Sequence, residues 1–149
     1  MANPLCEVLI AETELKLPQA GPDTFAGAIV DFSGVVRGRE GDREIDGIEY
    51  EAHLPMAEHQ LKVIGQKSIE KFGLELVIIH HRIGFVPAGE PSLVMRVAGK
   101  HRSEAFQASQ WIVDELKKRV PIWKHPRFKT DDRSPKKKTS FQKDLVSHG

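Results

Sequence analysis

Residues 99–125 read GKHRSEAFQASQWIVDELKKRVPIWKH, and the fold turns on how this stretch is parsed. Ala105, Ala108, Ser109, Ile112, Val113 and Leu116 recur at spacings of three and four, the signature of a helix with one buried face. Ser103 is a sound N-cap for it. Pro121 ends it, because a proline ring clashes with the turn before it. The polar residues are as telling as the apolar ones. A His101-Arg102 pair stands at the helix start. Two lysines seven apart, Lys117 and Lys124, flank the Pro-x-Trp break at its end. Cations at both ends of one helix call for an anionic ligand.

Upstream, residues 5–17 alternate loosely through Val8 and Ile10, as an early extended segment does, and PQAGPDTF (18–25) reads as a loop. AIVDFSGVV (28–36) is β-branched and aromatic, a strand that leads into Arg37. The polar run GREGDREIDG (38–47) follows. Ile48, Tyr50 and Ala52 then alternate with Glu49, Glu51 and His53, as in a strand with one wet face. The two strands are expected to form a hairpin closed by a long, mobile loop. Ala57, Leu61, Ile64, Ser68 and Phe72 trace a first helix, opened by Pro55 and capped by Gly73. LELVIIHH (74–81) is a nearly continuous apolar strand, VPAGEPS a turn, and LVMRVA (93–98) another strand. The order β, β, β, α, β, β, α predicts an α+β fold, with helices packed on one face of a mostly antiparallel sheet.

The chain has 149 residues, 40% hydrophobic and 29% charged, the profile of a single globular domain. No apolar run approaches the roughly 20 residues that span a bilayer, and the N-terminus lacks the pattern of a secretion signal. A single cysteine, Cys6, excludes a disulfide framework and a thiolate metal cluster. These features lead to a cytoplasmic protein as the expectation. The net charge of +1 conceals a basic tail: from Lys124 onward there are eight Lys/Arg and three Asp/Glu. Residues 126–149 hold too few apolar side chains to fold alone and are expected to be flexible.

Several chemistries fare poorly. His80 and His81 are adjacent in a strand, so they point to opposite faces and cannot share an ion; no metal site is expected. There is no G-x-S-x-G elbow and no glycine-rich phosphate loop. Lys136–Lys138 can touch nucleic acid or form a solvated tail, and one nearby aromatic, Phe141, makes no stacking ladder. His101 and Arg102 combine side-chain cations with free backbone N–H groups, an anion cradle; the competing reading is a surface arginine pairing with Glu104. Lys117 and Lys124, crowded by Lys118, Arg119 and Arg127, are placed for acid–base work or for steadying an anionic intermediate. The competing reading is a solvated helix end whose lysines offset the helix dipole.

AIVDFSGVVR (28–37), YEAHLPMAEHQL (50–61), IIHHRIGFVPAGE (78–90) and HRSEAF…DELKKRVPIWK (101–124) together resemble the large, catalytic subunit of molybdopterin synthase, the MoaE family. The resemblance runs from about residue 26 to residue 125 and implies an α/β hammerhead-type fold in a domain 1–125. It implies a sulfurtransferase of molybdenum-cofactor biosynthesis. The substrate would be cyclic pyranopterin monophosphate, with no further cofactor. The sulfur would come from the C-terminal thiocarboxylate of a small ubiquitin-like carrier subunit. The assembly would be a homodimer of large subunits with a carrier at each outer end, a heterotetramer. Lys117 and Lys124 match the family's catalytic lysines. Val35, Val36 and Arg37 match a substrate-contacting segment, His101 and Arg102 its phosphate-side pair, and Lys124-His125-Pro126 a further substrate-lining stretch. The family usually reads W-K-[KR]-E where this chain has Trp123-Lys124-His125-Pro126, so a carboxylate that would orient Lys124 is missing. A non-catalytic anion- or RNA-binding domain on the same fold, or a member of reduced activity, are the alternative readings.

Arg102 and Lys117 lie fifteen residues apart on one helix, about 22 Å at 1.5 Å per residue. A pterin phosphate is too small to touch both. The expectation is a pocket shared between subunits, with Arg37, Lys117 and Lys124 from one and His101 with Arg102 from its twin.

Overall fold

The computed structural model describes residues 3–17 and 26–129, and the backbone of residues 144–145. The elements run β1 (Leu5–Ala11), β2 (Ala28–Val35), β3 (Arg39–Glu40), β4 (Arg43–Ala52), α1 (Leu54–Phe72), β5 (Leu76–Arg82), β6 (Gly84–Pro87), β7 (Pro91–Gly99), α2 (Arg102–Arg119), β8 (Ile122–Phe128) and β9 (Asp144–Leu145). Two sheets result. The first has the order β1-β5-β7-β2, with β1 parallel to β5 and the other pairs antiparallel. The second has the order β3-β4-β8-β9, with β6 also paired to β4.

Both helices pack on one face of the first sheet, α1 over β1 and β5 and α2 over β7 and β2. The expected α+β architecture, mostly antiparallel and with helices on one side, is what forms. The helix stripes are as read: Ala57, Leu61, Ile64 and Ser68 of α1 are buried, as are Ala105, Ala108, Ser109, Ile112 and Leu116 of α2. Gly73 adopts φ 66°, the left-handed cap that stops α1, and its N–H bonds the Ile69 carbonyl. The start of α2 differs from expectation. His101, in extended conformation, is the N-cap, and makes no side-chain capping bond. Ser103 lies within the first turn, where its Oγ accepts from Gln107 Nε2 at 2.9 Å.

β2 and β4 do not form the expected hairpin. β2 pairs with β7, Phe32 opposite Met95, in the first sheet. β4 pairs with β8 in the second, Tyr50 opposite Lys124. Alternation fixes which face of a strand is wet but not which strand lies beside it. The run between them is not one open loop, since β3 and β4 form a tight hairpin there, Glu40 opposite Arg43, with Gly41 at φ 63° in the turn. The segment read as the turn VPAGEPS begins inside β6. β8 crosses residue 126 and continues to Phe128, so the first residues assigned to the tail lie in the second sheet. Lys136–Lys138 and Phe141 lie outside the described residues.

Cys6 belongs to β1, and burial pushes its thiol up. α1 accommodates it with Gly65: a Cβ built there falls 2.5 Å from Cys6 Sγ. Gly65→Ala is therefore expected to lose about 1–2 kcal/mol through overpacking. In a Cys6→Ala background the same change should gain up to about 1 kcal/mol, the helix preference of alanine over glycine. Urea melts of the four chains measure the reversal; the same sign in both backgrounds would contradict the contact.

Candidate functional site

The C-terminal end of β2 runs past a bulge at Gly34/Val35 into residues 36–38. Val36 is held there by two backbone bonds: its N–H donates to the Glu90 carbonyl at 3.0 Å and its carbonyl accepts from Gly89 N–H at 2.8 Å. Its side chain is buried in the core, so of the three residues assigned to this segment it presents no side chain outward, whereas Val35 and Arg37 are exposed. β4 and β8 bring a second wall to the same place. Lys124 stands opposite Tyr50, and cross-strand partners share a face. The result is one small cavity bounded by Gly34, Val35, Arg37, Glu40, Tyr50, Ser92 and Lys124.

Lys124 has a side chain only 15% exposed, and its Nζ lies 3.7 Å from Glu40 Oε1. Burial pushes the Tyr50 phenol up, a hydrogen bond with Ser92 pulls the other way, and the Glu40 carboxylate adds to the rise. Tyr50 also meets His81 edge-on, ring centroids 5.5 Å apart, joining the two sheets behind the cavity. The free volume left is about 30 Å³, roughly the share of one water.

Lys117 lies on a neighbouring groove of about 420 Å³ between α2 and β2, with Val30, Phe32, Phe106, Ser109 and Val113. Asp31 borders it and is forked by Arg96 at 2.7 and 2.9 Å, which holds the Asp31 carboxyl below the usual range. Gly27 and Gly99 are bonded at the start of β2 and the approach to α2. From that common origin α2 rises about 22 Å to Lys117, and β2 about 23 Å to Val35 at 3.3 Å per residue. Lys117 meets β2 in the groove at Val30–Phe32 and is not among the residues that bound the Lys124 cavity. His101 and Arg102, both exposed, remain at the opposite end.

His125 and Arg127 are separated from this group. His125 alternates with Lys124 along β8 and faces the other side of the sheet, where a cavity of about 550 Å³ also meets Glu12, Glu49, Glu51, Ile83 and Arg127. His125 Nε2 lies 3.3 Å from Glu51 Oε1 and Arg127 Nη2 3.6 Å from Glu49 Oε1. Pro126 stays on the Lys124 face, opposite Ile48. The supposed crowding of Lys117 also dissolves: Arg119 and Lys118 turn to Glu115 at 2.7 and 3.9 Å, and Arg127 is in the other sheet. Glu40, Tyr50 and Ser92 were not singled out from sequence. Glu40 sat in a run read as loop, and the alternation around Tyr50 showed only that it pointed inward.

The geometry defines an α+β protein with a lysine-bearing cavity where its two sheets meet. A family model described as MoaE protein matches residues 9–119. The chain is 43% identical over 98 residues to a Pyrococcus abyssi protein named molybdopterin synthase catalytic subunit, the match covering 66% of each. It is 35% identical over 113 residues to the Bos taurus protein of that name, covering 76% of this chain and 60% of the relative. The crystal structure of molybdopterin synthase from Staphylococcus aureus is 34% identical, with a TM-score of 0.69 over 73% of this chain and 80% of that one. The chain belongs to the MoaE family. It spans somewhat less than two thirds of the length of the two named relatives. Among the described residues, no helix is long and apolar enough to cross a membrane.

Proposed function

We propose that the chain is the catalytic subunit of a molybdopterin synthase, a sulfurtransferase that moves sulfur from the thiocarboxylated C-terminus of a small carrier subunit onto cyclic pyranopterin monophosphate. The observation that carries this reading is Lys124, largely withdrawn from solvent and gathered with Val35 and Arg37 in one cavity. Both reactants are anions. Bringing them together requires fixed cations in a place with little water. A Helicobacter pylori structure described as a complex of subunits 1 and 2 of molybdopterin-converting factor, 21% identical, has this fold, with a TM-score of 0.61, and supports a partner subunit.

In this reading Arg37 forks to phosphate oxygens. Lys117 and Lys124 stabilise the charge that develops as the thiocarboxylate sulfur bonds to a pterin carbon and a carbon–oxygen bond at that carbon breaks, the oxygen leaving on phosphate or, protonated, as water; water then cleaves the acyl carbon–sulfur bond, freeing the carrier as a carboxylate and leaving the sulfur on the pterin. His101 and Arg102 are about 22 Å from Lys117 along α2. They therefore serve the cavity of a twin subunit, so that the working form is at least a homodimer. The whole reading is tested by incubating the chain with thiocarboxylated carrier and cyclic pterin and measuring dithiolene product. Pairing a His101→Ala/Arg102→Ala chain with a Lys117→Ala chain, each inactive alone, should restore up to about half the sites of a mixed dimer. No recovery in verified mixed dimers would remove the shared cavity.

A further inference from the structure

The cavity at Lys124 already contains an anion, and it belongs to the protein. Glu40 is carried on the β3–β4 hairpin, whose turn is tied by Arg39 Nη2 donating to the Asp42 carbonyl at 2.6 Å. Its carboxylate lies 3.7 Å from the Lys124 ammonium and close enough to Tyr50 to act on the phenol. An incoming phosphate or carboxylate competes with this carboxylate for the same ammonium. Of the two partners, the one that can give way is the carboxylate on the two-residue strand, at 34% exposure, and not the lysine at 15% in the longer β8.

We propose that Glu40 is a positioning residue that holds Lys124 in the cavity as its internal counter-ion and is displaced by the anionic group of the ligand. The inference rests on reading this cavity as the anion site of the proposed activity. Its physical basis is competition. A carboxylate bound within its own fold acts as a tethered rival at high effective concentration, so weak anions fail to displace it. A ligand that brings more charge, or further contacts along Arg37, succeeds. Pro126 leaves no acidic side chain next to Lys124 on its own strand face, and the hairpin supplies one from elsewhere.

The experiment is a calorimetric titration of the full chain with inorganic phosphate near neutral pH. Glu40→Gln keeps the shape and removes the charge, and should bind phosphate about three- to tenfold more tightly than the natural chain, the effect of deleting one close like charge near the surface. Glu40→Ala should shift affinity in the same direction. The gain should vanish in Glu40→Gln/Lys124→Ala. A merely structural glutamate would give unchanged or weaker binding in folded variants, as judged by thermal melting, and that result overturns the proposal, as does a gain that survives loss of Lys124. If the phosphate series behaves as described but the natural chain forms no dithiolene, the proposed activity falls and the role of Glu40 stands. If the chain turns over but the series is flat, Glu40 alone is dismissed.

Discussion

Replacing Lys124 by alanine is expected to cut dithiolene formation by about 10²- to 10³-fold, the cost of removing one preorganised charge from a site where negative charge develops. The fold should survive. Lys124 contacts Glu40 across 3.7 Å, and Glu40 is exposed enough to take water in place of the ammonium, so the lost pair is worth no more than about 1 kcal/mol of stability. Activity and stability thus separate in this variant. Lys124→Arg refines the test. Arginine keeps the charge but spreads it over a planar fork and does not give up a proton. Recovery of most activity by arginine would assign Lys124 to electrostatic stabilisation alone. A loss as deep as that of alanine would assign it a proton transfer or a point contact. Turnover within a few-fold of the natural chain in Lys124→Ala would refute the cavity as the reaction site.

Much of this site was legible in the sequence because its parts sit at the ends of strongly patterned elements. The α2 stripe placed Lys117 on a helix, and Pro121 released Lys124 from it. Helix length alone put His101 and Arg102 out of reach of Lys117. What sequence did not yield were lateral relations. Residues 126–128, PRF, open with a proline and read as the start of the tail, yet they belong to strand β8. Pro126 keeps register opposite Ile48, and β4 bulges further on at Asp46, between the residues that face Arg127 and Phe128. Once that strand exists, alternation sends His125 and Lys124 to opposite faces, so two of the three consecutive residues taken as one lining stretch border different cavities. Glu40 escaped for the same reason. A carboxylate in a polar loop has no periodic signal, and its approach to Lys124 depends on how the β3–β4 hairpin lies against a strand more than eighty residues away.

The separation of His80 and His81, by contrast, was read correctly from adjacency, and it gives the fold a pH dependence. His80 turns outward to Glu7, 2.7 Å from Nε2. His81 points into the core, its Nδ1 donating to the Arg82 carbonyl at 2.8 Å and its ring against Tyr50. Burial lowers its pKa from 6.5 to about 4, a fall that the backbone bond only partly opposes. In the unfolded chain the imidazole takes a proton as pH drops through 6.5, while in the native chain it stays neutral until about pH 4. Between those values the unfolded state binds more protons, so stability falls as pH falls. The gap is worth roughly 3 kcal/mol in all, at about 1.4 kcal/mol per pH unit where it is steepest. Above pH 6.5 both states are neutral and this residue contributes no slope. Urea unfolding between pH 7 and pH 4 should therefore show a steep acid loss in the natural chain. His81→Phe keeps an aromatic ring beside Tyr50 and cannot titrate, so its profile should be flatter by that amount, even if the variant starts lower at pH 7 for want of the bond to Arg82. Parallel profiles in the two chains would mean that protonation elsewhere, and not this buried imidazole, governs acid stability.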